Sequence, residues 1–148
     1  MKINLAKYAG FCFGVKRAMD IVVDAAEKSK TKIYTLGPLI HNEQVVEYLE
    51  GKNVYAVDDI DDIPDKSIVI IRTHGVPKSY YDILEHKNCN IIDATCPFVK
   101  KIHNIVHKSY VDGNQVIIVG DAYHPEVIGI NGWCENSAYN ISSVEDFG

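Results

Sequence analysis

The chain has 148 residues, 47% hydrophobic and 24% charged, proportions that exclude a collagen, a disordered tail and a coiled coil. Fifteen Lys and Arg against twenty Asp and Glu leave a formal net charge of −5, which argues against non-specific nucleic-acid binding and against docking on an anionic membrane. A phosphate-bearing ligand would have to be held by a local constellation of residues, not by a general positive field.

Along the chain, short β-type runs alternate with amphipathic helical patterns. Lys2–Ala6 reads as a strand. Val15, Ala18, Met19, Val22, Ala25 and Ala26 follow helical spacing to about Lys28. Ile33–Leu36 is a second strand, stopped by Gly37 and Pro38. Asn42 is placed to cap a helix carrying Val45, Val46 and Leu49, closed by Gly51. Val54–Val57 is a strand before the acidic turn Asp58–Asp62. Ser67–Ile71 is almost continuously apolar, as in a strand buried on both faces. A helix over Lys78–Lys87 and a strand over Asn90–Ile92 follow. Pro97 opens a helix reaching about Tyr110, Val116–Val119 reads as another buried strand, and Pro125 opens a short helix. Tyr139–Ile141 is a last strand. Ser142 and Glu145 have capping-box spacing for a helix that the chain leaves within a turn, as expected of part of a longer polypeptide.

This order predicts an α/β fold with mostly parallel sheets and crossover helices. No segment approaches the ~20 apolar residues of a membrane span. Met1–Lys7 lacks the apolar stretch and cleavage site of a signal peptide, so the expected compartment is the cytoplasm. Four cysteines, Cys12, Cys89, Cys96 and Cys134, are too few and too scattered for a disulfide scaffold.

In open α/β sheets, ligands bind beyond the carboxyl ends of the strands. The loops there carry Cys12 between Gly10 and Gly14, His41 after Ile40, His74 before Gly75, Cys96 before Pro97, and His124 before Pro125 and Glu126. Thiolates bind zinc or iron–sulfur clusters, and imidazoles bind metals, relay protons or donate to phosphate oxygens. Helix starts expected directly after His41, His74 and Cys96 would add free N–H groups favouring an anion. Glu126 could supply a proton at a reacting carbon or oxygen. Together the loops fit a metal-assisted reaction on a small phosphorylated molecule.

Other features have simpler readings. Cys89 and Cys134 fall in or beside helices and read as buried or incidental. His103 and His107 are spaced to chelate a metal, but Lys100, Lys101 and Lys108 beside them favour a basic, solvated helix. Asp58–Asp62 lacks the glycine and closing glutamate of an EF-hand loop and reads as solvated. Two other functional classes stay open: a zinc-dependent hydrolase using Cys12, Cys96 and a histidine, and a non-catalytic α/β module for a phosphorylated ligand.

The motifs Gly10-Phe11-Cys12-Phe13-Gly14-Val15, Ile40-His41-Asn42, Thr73-His74-Gly75-Val76, Asp93-Ala94-Thr95-Cys96-Pro97-Phe98-Val99-Lys100 and His124-Pro125-Glu126-Val127-Ile128-Gly129 resemble, in order and spacing, the 4-hydroxy-3-methylbut-2-enyl diphosphate reductase family. The resemblance implies a three-lobed α/β fold of three-layer lobes around one iron–sulfur cluster of the [4Fe-4S] type. It implies that residues 1–95 form the first lobe and 96–148 the start of a second. Cys12 and Cys96 match two of three cluster cysteines, the third being absent from this chain. His41, His74 and His124 match the residues binding the substrate diphosphate, and Glu126 the proton donor. The implied partners are an allylic diphosphate substrate and an electron donor such as ferredoxin or flavodoxin, with no nucleic acid and no membrane.

Overall fold

The computed structural model describes residues 3–7 and 9–147. Its centre is a four-stranded parallel sheet in the order β2-β1-β3-β4, built from β1 (Ile33–Leu36), β2 (Val54–Val57), β3 (Ile68–Ile71) and β4 (Asn90–Asp93). Register follows from Ile33 opposite both Val54 and Ile68, and from Ile68 opposite Asn90.

Alternate side chains of the strands enter two separate cores, because successive Cβ atoms point to opposite faces. Ile33 and Ile70 pack with Ala18 and Val22 of α1 (Phe13–Lys28) and Leu49 of α2 (Glu43–Glu50). Leu36, Val69 and Ile71 pack on the other face with Leu84 of α3 (Lys78–His86) and with Ile60 and Ile63. Val69, Ile70 and Ile71 are fully buried, so the near-continuous apolar run is a strand covered on both sides. Each such side chain contributes roughly 1.5–3 kcal/mol of burial. The crossover from β1 to β2 lies on one face and that from β3 to β4 on the other. Since they also run in opposite directions, both keep the same hand.

A smaller parallel pair, β5 (Ile117–Val119) with β6 (Tyr139–Ile141), packs against α4 (Pro97–Val111) and α5 (Pro125–Asn131). Its core holds Val106, Ile130 and Cys134, with Trp133 and Ile118 against them. Among the described residues no helix is long and apolar enough to cross a membrane.

Three expectations are corrected. Residues 3–6 form no strand, and Lys2 lies outside the described residues; Ile3 and Leu5 alternate as a strand would, but no sheet edge pairs with them and both are exposed. Ile117 and Val119 are exposed rather than buried, because helices cover only one face of the β5–β6 pair. After β6, the Ser142 and Ser143 amides donate to Asp146 Oδ2 at 2.7 and 2.8 Å, and the segment Val144–Phe147 is a 3₁₀ turn.

Candidate functional site

The chain leaves β1 toward β2 and later enters β3 on the other side of β1, so the loops following β1 and β3 diverge. Their divergence opens a crevice at the carboxyl ends of the strands. The loop after β1 carries His41, and the loop after β3 carries His74. Thr73, which is buried, fastens the two by donating its hydroxyl to the Leu39 carbonyl at 3.0 Å. The His41 and His74 ring centroids lie 5.1 Å apart. His124, from the loop after β5, meets His74 edge-on at 6.0 Å. Three loops therefore deliver one row of imidazoles with His74 in the middle.

The two outer rings are exposed and the middle one is half-buried. Burial holds the His74 pKa down at about 4, and His41, Arg72 and His124 push the same way. The ring is thus neutral at pH 7, and its buried Nδ1 has no hydrogen-bond partner. His124 caps α5, its Nδ1 accepting from the Glu126 amide at 3.2 Å. In the neutral ring that leaves the proton on Nε2, free to donate to an anion. Asn42, next to His41, caps α2 by accepting from the Val45 amide at 3.1 Å. No helix starts directly after His74, contrary to expectation. The chain there turns through Gly75, whose amide donates to the Arg72 carbonyl, and α3 begins only at Lys78.

Arg72 is a member of this site to which the sequence reading gives no role. Its guanidinium lies against Gly37, where φ is +70 and a Cβ would collide with Nη1. Burial lowers its pKa, while Tyr80 and Asp58 oppose the shift. An arginine directly after a fully apolar strand was the signal available.

Cys12 and Cys96 are the N-caps of α1 and α4, and both are free thiols. Cys12 is exposed and Cys96 half-buried. A Cβ on Gly14 would stand 2.7 Å from the Cys96 sulfur, so the glycine lets the first turn of α1 approach that thiol. The Cys96 loop is fixed at several points. Its amide donates to the Thr73 carbonyl at 2.9 Å, and the Asp93 carboxylate accepts from the Thr95 amide at 2.9 Å and from Lys100 at 2.6 Å. Burial alone would raise the Asp93 pKa, but those hydrogen bonds outweigh it and hold the carboxyl below its usual range. Glu126, in the first turn of α5, is half-buried.

As a donor set, these residues fit part of a metal site. Cys12 and Cys96 supply two thiols at neighbouring helix starts, yet no group of three His, Cys, Asp or Glu among the described residues is arranged to hold a metal ion. No histidine joins the two cysteines in the way a zinc hydrolase would need. His103 and His107 do not form a chelate either. They flank Trp133, His103 stacked and His107 edge-on. His103 is only 1% exposed, so this side of α4 is packed, not solvated. Cys134 is buried and Cys89 half-buried. The acidic turn is a short cap, in which Asp59 accepts from the Asp61 amide.

The parallel sheet, with three histidines along the crevice at its carboxyl ends and two thiols at adjoining helix starts, defines an α/β protein of the open-sheet kind. The chain belongs to the LytB protein family, whose model matches residues 3–147. It is 54% identical over 145 residues to the 4-hydroxy-3-methylbut-2-enyl diphosphate reductase of Clostridioides difficile (strain 630), covering 98% of this chain and 52% of the relative. Against the protein of that name from Thermoanaerobacter sp. (strain X514), identity is 52% over 149 residues, with 99% and 52% covered. The chain spans about half the length of the curated relatives it matches. Among solved structures, the E-1-hydroxy-2-methyl-but-2-enyl-4-diphosphate reductase of Plasmodium falciparum superposes with a TM-score of 0.88 at 33% identity, over 93% of this chain and 43% of that one. A second, described as the terminal enzyme of the non-mevalonate pathway, gives a TM-score of 0.82 at 40% identity, over 99% and 53%. The expected α/β class and family are therefore correct.

Proposed function

We propose that this chain provides the amino-terminal part of a cytoplasmic reductase that removes the hydroxyl group of (E)-4-hydroxy-3-methylbut-2-enyl diphosphate. Two electrons and two protons convert it to water and either isopentenyl or dimethylallyl diphosphate. The names of the relatives support the reaction. The observation that carries the site is the row of His41, His74 and His124, tied through Thr73 to the Cys96 amide.

In this reading the three imidazoles hold the diphosphate, His124 donating from Nε2 and His74 rising in pKa as the anion arrives. Local donors suffice for this, which agrees with the chain's overall negative charge. Cys12 and Cys96 would be two thiolate ligands of a [4Fe-4S] cluster, with a third from polypeptide outside these 148 residues. Such a cluster, held by these residues, would supply electrons and Lewis acidity toward the departing hydroxyl group. Glu126 delivers a proton to the reacting allyl fragment. Electrons would come from a small carrier such as ferredoxin or flavodoxin. Residues 1–95 would form one lobe, and 96–148 the beginning of the next.

Anaerobic purification of a complete reductase chain that includes this segment, and of its Cys12→Ala variant, with iron and acid-labile sulfide assays and a visible spectrum, tests this assignment. Iron and sulfide in the wild type and their loss in the variant are the expected result. Zinc in their place, or iron retained fully without Cys12, would overturn it.

A further inference from the structure

Behind the imidazole row lies an aromatic pair that the proposed reaction does not use. His103 stacks on Trp133, their ring centroids 5.1 Å apart and their planes inclined by 20°. His103 Cε1 presses on Gly75, where a Cβ would collide with it and would also stand 3.2 Å from the Thr95 methyl group. Gly75 has φ +71, the left-handed region in which glycine carries no steric cost. Trp133 donates its indole N–H to the Val76 carbonyl at 3.1 Å. The two residues following His74 are thus each held by one member of the stack.

The His74 ring needs such support. An imidazole is ordinarily oriented by the hydrogen bond its second nitrogen makes, but His74 Nδ1 is buried without a partner. Its position therefore depends on the backbone that carries it. His103 Nε2 is likewise buried and unpartnered, a cost that a smaller apolar residue would avoid. What the imidazole contributes is a flat ring filling the gap between the indole and Gly75.

We propose that His103, backed by Trp133, is a positioning residue that fixes the Gly75–Val76 turn and so places the His74 ring within the diphosphate site. This inference rests on the reading of His41, His74 and His124 as that site. His103 touches no ligand. Truncating it lets the turn relax toward the indole and disturbs the spacing of His74 from His41 and His124.

Inorganic pyrophosphate titrated calorimetrically into the 148-residue chain tests the proposal, using wild type, His103→Ala, Trp133→Phe and Val54→Ala. Val54 opens β2 and is buried with Ile33 and Leu49 in the core that includes neither Trp133 nor the Gly75–Val76 turn, so its truncation reports lost packing alone. A displaced binding group should weaken affinity about tenfold or more in His103→Ala, and severalfold in Trp133→Phe, which keeps a ring but not the N–H. Val54→Ala should stay within about twofold, as expected of a site without shared partners. In the absence of ligand, the His74 ring nitrogen resonances should move in His103→Ala and not in Val54→Ala. Wild-type affinity in His103→Ala, or an equal loss in Val54→Ala, overturns the proposal. If His103→Ala does not fold, unchanged affinity in Trp133→Phe overturns it. Failure of the wild type to bind pyrophosphate removes the diphosphate reading and this inference together; binding that is indifferent to His103 removes this inference alone.

Discussion

The Cys96 amide donates to the Thr73 carbonyl at 2.9 Å, joining the loop of a proposed cluster ligand to the residue immediately before His74. Thr73 also donates its hydroxyl to Leu39 at 3.0 Å, two residues before His41. One buried threonine therefore links the loops that follow β1, β3 and β4. A ligand holding both an imidazole and a metal near Cys96 would meet groups whose separation is set by backbone hydrogen bonds, not by flexible side chains. Such pre-organisation is what a reaction needs when one end of a small substrate is anchored and the other reacts.

If the row of rings is the diphosphate site proposed above, pyrophosphate binding should depend on pH through His74. Its pKa is about 4 in the free site, and a neighbouring anion raises it. A group whose pKa rises on binding contributes affinity that is fully present below the free pKa and is lost as pH rises through the bound pKa. Affinity should therefore increase as pH falls from about 8 to about 5.5, and the increase should be roughly threefold or more steeper than in His74→Asn. Comparing the two proteins cancels the titration of pyrophosphate itself. Parallel pH profiles would show that His74 takes up no proton on binding.

Glu126 shares the first turn of α5 with the cap residue His124, to whose Nδ1 its amide donates, which ties it to a residue of the proposed anion site. In a complete chain, Glu126→Gln should leave iron and sulfide content unchanged, because glutamine keeps the size of the side chain and Glu126 is not a proposed ligand. Turnover should fall by about a hundredfold or more, the range for loss of a positioned acid. Single-turnover reduction of the allylic diphosphate, read beside metal content, separates the two effects. Turnover close to wild type would place the proton donor elsewhere.

Much of this arrangement is legible in the residues, and what is not has an identifiable cause. The run Ser67–Ile71 declares a strand buried on both faces, and Pro97 and Pro125 mark helix starts that the structure places at those residues. Cys12, His41, His74, Cys96 and His124 are visible as candidates because each follows an apolar run and precedes a turn or helix. Their convergence is not visible, since it depends on the sheet order β2-β1-β3-β4. Local pattern also misleads where burial is decided by distant neighbours. Val116–Val119 looks like β3, yet Ile117 and Val119 face solvent. His103 sits among lysines in sequence, yet its side of the helix packs on Trp133 and Gly75. Arg72 escapes notice because the residue its guanidinium lies against, Gly37, is thirty-five positions away.

His103 also gives the fold a sensitivity to acid. Burial holds its pKa down from 6.5 to about 4, with Asp93 opposing and Lys100 reinforcing the shift. Between those values the unfolded chain binds a proton that the folded chain does not, so stability is fully present above about pH 6.5 and is lost as pH falls toward 4. For a side chain only 1% exposed, the loss is on the order of 3 kcal/mol across that window. Urea midpoints at pH 7 and pH 5 should therefore separate widely in the wild type and less widely in His103→Gln, which has no proton to accept. His74, depressed in the same direction, will leave part of the slope in that variant, and His74→Asn combined with His103→Gln should flatten it further. Equal separation of the midpoints in wild type and His103→Gln would mean that His103 is protonated within the fold and that the packing around Gly75 adapts to the charge.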